Sequence, residues 1–195
     1  MGQRDTSFAR LVSLAAHDLR TPLATIHGFA QTLVRMGDLG EPKDRYVGMI
    51  AAAARQLAEL LDELSLAAQI EGDRYEPNIQ PTDTLELARN AREALGEDRV
   101  RVAGDGGEVH VDADATPRGI TALVQAALRH GGLDEVECRA EGSQLRIAPV
   151  TPSAGDVLLG NDLRDLGAAV AVRLVDALGG SVEREGDAVV VQLPT

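Results

Sequence analysis

The 195-residue chain has no tryptophan, two tyrosines and two phenylalanines. Its core must therefore come from Ala, Leu, Val and Ile, which a hydrophobic content of 44% permits. So few aromatics also remove the stacking platform on which proteins hold single-stranded nucleic acid. Cysteine is nearly absent: Cys138 stands alone, which excludes an intrachain disulfide framework and fits a reducing compartment. It sits in the alternating run Val136, Cys138, Ala140 and reads as a buried strand residue rather than a reactive thiol. Basic residues are outnumbered, 19 against 31, giving a formal net charge of −12. Such a surface repels phosphate backbones and anionic lipids, so neither nucleic acid nor a membrane is expected as a partner. No apolar run approaches the ~20 residues that span a bilayer. The N-terminus lacks the charged-then-apolar pattern of a signal peptide. These absences predict a soluble, cytoplasmic protein. His27, His110 and His130 have no companions at metal-ligand spacings, and no Ser–His–Asp set stands out, so no metal site is expected.

What is present begins with two long amphipathic segments. From about Thr6 to Gly37, the residues Phe8, Val12, Ala15, Leu19, Pro22, Ile26, Phe29 and Leu33 alternate spacings of four and three. This is a heptad seam that calls for a partner helix. Gly37 to Pro42 reads as a turn. A second helix from about Lys43 to Ile70 carries the stripe Val47, Ile50, Ala54, Leu57, Leu61, Leu64 and Ala68. The two form a helical hairpin, and two hairpins close a four-helix bundle, so homodimerisation is the physical expectation. The stretch 73–84, with Pro77 and Pro81, reads as a linker between domains 1–72 and 85–195.

Beyond it, helices are predicted over Leu85–Leu95, Thr116–His130 and Leu163–Leu178. Strands are predicted over Arg99–Val102, Val109–Val111, Glu135–Ala140 and Leu145–Pro149. A closing hairpin, Ser181–Glu185 and Ala188–Leu193, turns at Gly186-Asp187. The pattern is an α+β two-layer sandwich, with helices over one face of a mixed sheet.

On the first helix stands His17-Asp18-Leu19-Arg20-Thr21-Pro22-Leu23. Leu19 and Pro22 lie on the seam, which places His17 off it, facing solvent. An imidazole has a neutral nitrogen available as a nucleophile near neutral pH. Asp18 is placed to orient the ring or take its proton, and Thr21, one turn on, to position a water. Pro22 removes a backbone bond and should bend the helix. The heptapeptide, with Ala24 to Leu33 and the hairpin around it, resembles the H-box of bacterial sensor histidine kinases. In that family the histidine carries a phosphoryl group, the acidic neighbour assists its transfer and the threonine assists dephosphorylation. The resemblance assigns these roles to His17, Asp18 and Thr21, with Arg20 in the same catalytic set.

The second half resembles the ATP-binding (Bergerat-fold) domain of the same kinases. Asp112-Ala113-Asp114 and the helix ending Ala127-Leu128-Arg129-His130-Gly131 match the segment that carries the family's N-box. Its two asparagines, one of which helps to hold magnesium, are replaced by Ala122 and Ala126, which offer no oxygen. The Asp-x-Gly-x-Gly turn expected after Leu145–Pro149 is absent. Of the glycine-rich turn before the last helix only Gly167 survives, and Asp165 stands where a glycine belongs, a carboxylate near where phosphates would bind. The lid stretch, about Val150 to Leu163, is short.

Together these departures imply a retained scaffold with a degenerate ATP site. The expected function is then a histidine phosphotransfer protein. It would exchange a phosphoryl group between His17 and a receiver-domain aspartate, with Mg²⁺ supplied by the receiver and no ATP used. The alternatives are a non-catalytic regulator of a kinase or receiver, a histidine kinase with an atypical nucleotide site, and a receiver phosphatase that depends on Thr21.

Overall fold

The computed structural model describes residues 6–37 and 43–195. The turn expected at 37–42 lies outside the described residues except for Gly37. Two compact units divide the chain, Met1–Tyr75 and Glu76–Thr195.

The first unit is a hairpin of α1 (Thr6–Met36) and α2 (Lys43–Glu71). Ala and Leu dominate α2 and favour the helix intrinsically. The helix stops where Asp73 enters the left-handed region at φ 51° and Arg74 N–H donates to the Gln69 carbonyl at 2.9 Å. That bond closes off the last free carbonyls, and aspartate is one of the few non-glycine residues that tolerates the conformation. Leu23, Ala54 and Leu61 form the small core of the hairpin, with Ala58 against it, and Ala30, Ala51 and Ala68 are buried too.

Within one hairpin the packing uses Ala54, Leu61 and Ala68 of the predicted stripe on α2, but not the large residues of the predicted seam on α1. Leu19, Ile26, Phe29 and Leu33 were expected to face a partner helix, yet they are exposed in the hairpin, Phe29 by 68%. The apolar surface of α1 is wider than one seam. Small residues and Leu23 meet α2, and the larger side chains form a second face. On α2, Ile50 and Leu57 are likewise exposed, as are Met49 and Leu60.

The second unit begins earlier than predicted. Within the supposed linker 73–84, Ile79–Asp83 forms strand β1, which pairs antiparallel with β3 (Glu108–Asp112). Pro81 concealed it, because proline removes a ladder donor and suits only an edge such as this two-stranded sheet provides. The main sheet has the order β2-β4-β5-β7-β6, from Val100–Gly106, Val136–Glu141, Gln144–Ala148, Ala188–Gln192 and Ser181–Glu185. β2 and β4 run parallel and the other pairs antiparallel. Helices α3 (Thr84–Leu95), α4 (Ala115–Gly131), α5 (Pro152–Leu158) and α6 (Leu166–Ala177) complete the unit.

Strands β4 and β5 alternate as a half-buried sheet requires. Val136, Cys138, Ala140, Leu145 and Ile147 join the helices in one core, while Glu137, Arg139 and Arg146 form ion pairs outside it. Burial, and secondarily the charge of Glu137, pushes the Cys138 thiol up to about 12, so the sulfur is an inert core atom. Gly180 is required by packing: a β-carbon there would lie 2.2 Å from the Gln192 carbonyl oxygen, where α6 passes into the closing hairpin.

Two further boundaries differ from the sequence reading. α6 starts at Leu166 rather than Leu163. The expected lid stretch contains α5, begun by Thr151, whose hydroxyl accepts from Ala154 N–H, and by Pro152 in the first turn.

Candidate functional site

His17, Asp18, Arg20 and Thr21 all lie within α1, near the middle of a helix that runs through Pro22 without interruption. The side chains of His17, Asp18 and Pro22 are outside the described residues, so the expectation that His17 faces solvent is not addressed there. Thr21 and Arg20 are exposed. The Arg20 guanidinium pairs with Asp62 of α2, a residue that sequence pattern did not single out. Only the crossing of two helices 42 positions apart brings them together.

In the second unit the residues matched to a nucleotide site gather where α4, α5 and α6 meet. Asp112 begins α4. Its carboxylate accepts from Asp114 N–H at 2.9 Å and Ala115 N–H at 2.7 Å, while Asn78 N–H donates to the other oxygen at 3.2 Å. Along α4, Ala126 is fully buried and Ala122 partly so. Ala126 shares one apolar core with Ala154, Val157 and Leu158 of α5 and Ala168 and Ala171 of α6. A magnesium ion takes oxygen ligands, and these two alanines supply none. This face of α4 therefore does not fit a cation held in the family's manner.

Asp165 is not the bare charge that its sequence position suggested. One carboxylate oxygen accepts from Ala168 N–H at 3.1 Å and caps α6. The other lies 3.0 Å from His130 Nε2 and 3.2 Å from an Arg129 guanidinium nitrogen. The acid is thus neutralised by the end of α4 and the start of α6, and it ties the two helices together. Arg129 is 57% exposed, so its remaining donors stay open to solvent. Asp165→Ala is expected to cost about 1–2 kcal/mol through the lost cap. A thermal melt should then fall by roughly 2–8 °C for a chain of this length. Gly167 follows in the first turn of α6.

Residues 9–73 match the model of the His Kinase A (phospho-acceptor) domain. They belong to that family. The HisKA domain is followed by a unit with the fold of histidine-kinase ATP-binding domains. The chain superposes on full-length ShkA, solved in complex with AMPPNP, with a TM-score of 0.66 at 20% identity over 93% of this chain and 44% of that one. It superposes on the Acinetobacter baumannii histidine kinase AdeS with a TM-score of 0.61 at 18% identity, over 91% and 97%. In sequence it is 28% identical to the sensor protein DivL and 30% identical to the histidine protein kinase DivJ, both of Caulobacter vibrioides, in each case over 90% of this chain. An uncharacterized sensor-like histidine kinase of Rhizobium meliloti matches at 27% over 95%. The chain spans 26%, 30% and 42% of the lengths of these three relatives, respectively.

These matches correct the functional expectation. A phosphotransfer protein or pseudokinase without ATP binding or autokinase activity was anticipated from Ala122, Ala126 and Asp165. The HisKA domain and the unit after it instead align together, in order, with the sensor-like histidine kinase of Rhizobium meliloti and with DivJ, and both have the fold of the histidine kinase AdeS. The kinase scaffold persists through the whole second unit although those motif residues are missing. Among the described residues, no helix is long and apolar enough to cross a membrane.

Proposed function

We propose that the chain is the core of a two-component histidine kinase with an atypical nucleotide site. It transfers the γ-phosphoryl group of ATP to His17 and then passes it to the aspartate of a receiver domain. The observation that carries this reading is the continuous alignment of both units with sensor kinases over at least 90% of the chain. The H-box residues then take the roles their resemblance implies: His17 as nucleophile, Asp18 assisting transfer and Thr21, exposed one turn on, positioning water for dephosphorylation. In the second unit the half-exposed Arg129 is the cation offered to the nucleotide's polyphosphate.

The kinase acts in the cytoplasm as a homodimer. Leu19, Ile26, Phe29 and Leu33 of α1, with Ile50 and Leu57 of α2, form an apolar surface on the hairpin that water does not favour. A second copy covers it by closing a four-helix bundle.

The test is incubation of the full chain with γ-labelled ATP, alone and with a receiver domain. Label on the chain that moves to the receiver is the expected result. Label acquired only from a phosphorylated receiver would sink the kinase reading. Absence of label from both sources, with binding retained, would make the protein a regulator.

A further inference from the structure

Between Arg10 and Arg35 the sequence contains one Lys or Arg, and it is Arg20. It is therefore the cation that α1 itself brings to a phosphoryl group at His17. Residues three apart on a helix are neighbours on its surface, with β-carbons about 5–6 Å apart. Arg20 does not stand free. Its guanidinium is paired across the hairpin with Asp62, and the two side chains are 44% and 45% exposed.

An ion pair this exposed adds little to stability. The hairpin is held by Leu23, Ala54 and Leu61, none of which needs the pair. What the pair does supply is direction. A free arginine samples many rotamers and loses that freedom when it grips an anion, whereas one already held by a carboxylate has less to lose. The guanidinium has five N–H donors and a carboxylate engages at most two of them well, so donors remain for a second anion.

We propose that Asp62 is a positioning residue for phosphoryl transfer at His17. It holds the Arg20 guanidinium at the edge of the hairpin, one turn from the histidine, where the remaining donors meet the phosphoryl oxygens. The proposal rests on the reading of His17 as the phosphoacceptor. In the step concerned, an imidazole nitrogen forms the N–P bond with its lone pair while the P–O bond to the leaving nucleoside diphosphate breaks. The electron pair of that bond leaves with the diphosphate, and the proton of the ring's other nitrogen passes to Asp18 or water. Arg20 stabilises negative charge on the transferring group, and Asp62 acts only through Arg20.

The experiment follows the initial rate of His17 labelling in the full chain with two donors, γ-labelled ATP and labelled phosphoramidate. Phosphoramidate reaches the histidine without a nucleotide site and releases ammonia as its P–N bond breaks. Wild type, Asp62→Asn, Asp62→Glu, Arg20→Ala and the Arg20→Ala/Asp62→Asn double variant are compared, with helicity and melting temperature recorded for each. Asp62→Asn should lower the maximal rate roughly tenfold, a share of what a directly placed charged donor contributes. It should leave the donor KM within about twofold, because the donor's own binding contacts are untouched. Asp62→Glu should restore most of the rate, and the double variant should be no slower than Arg20→Ala.

A wild-type rate in Asp62→Asn, additive losses in the double variant, or a loss that tracks reduced helicity would overturn the proposal. Labelling of wild type by phosphoramidate but not by ATP would remove the kinase reading and still leave Asp62 tested. Failure of both donors to label His17 would remove both.

Discussion

His17→Gln is expected to abolish labelling by ATP altogether, with the label in wild type acid-labile and base-stable, as a phosphoramidate bond must be. Glutamine keeps a polar side chain of similar reach on α1, so the fold is retained and only the nucleophilic nitrogen is lost. The neighbouring residues should then separate by role. Asp18→Asn keeps the shape but cannot take a proton, and should slow labelling by about 10²-fold, the lower end of what general base catalysis supplies. Thr21→Ala should leave labelling intact. Its hydroxyl is exposed and its proposed partner is a water, so the loss should appear in receiver dephosphorylation, slowed roughly tenfold as for one lost positioning contact. Equal effects of Asp18→Asn and Thr21→Ala on labelling would refute this division of labour. The measurements are quantitative autoradiography at matched protein and the decay of phosphorylated receiver.

Phe29→Glu is expected to convert a dimer into a monomer. Phe29 is 68% exposed and Ile26 50% exposed, side by side on α1 one turn apart. In a closed four-helix bundle each would be buried. Full burial of such a side chain is worth about 1.5–3 kcal/mol. In a symmetric dimer the substitution occurs twice, and it adds the cost of a buried, unpaired carboxylate on a chain already at net −12. The dissociation constant should rise by at least about 10³-fold, since each 1.4 kcal/mol is tenfold. Sedimentation or light scattering across a concentration series reads this directly. Leu23→Ala provides the contrast. Leu23 is 4% exposed and packs within one hairpin, so its loss should lower the melting temperature more than it changes the association state. A Phe29→Glu variant that remains dimeric would place the interface elsewhere.

Much of this was legible in the sequence, because the signals concerned are local. The Ala- and Leu-rich runs and the alternation of β4 and β5 repeat with the period of a single element, and the H-box heptapeptide is one contiguous stretch. The positions of His17, Asp18 and Thr21 on α1 follow from spacing alone. Reading fails where the local signal points away from the tertiary answer. Pro81 reads as linker, yet it lies in β1 because an edge strand can forgo one donor. Pro152-Ser153 stands in the expected lid stretch, yet it opens α5 because Thr151 caps the turn. Ala122 and Ala126 read as an abandoned nucleotide site, whereas the matches across the whole second unit speak for a kinase scaffold.

By itself the sequence determined the long helices, the β4–β5 and β6–β7 strands, the H-box motif and the net negative charge, since propensity, periodicity and charge are properties of short stretches of chain. Tertiary structure alone decided which apolar face of α1 meets α2 and which stays exposed, because both faces are apolar and only the close packing of Leu23 and the small Ala30 selects the inner one. It alone set Asp165 between Arg129 and His130, and Asp62 against Arg20, pairings made by helices 35–42 residues apart whose approach no local pattern encodes.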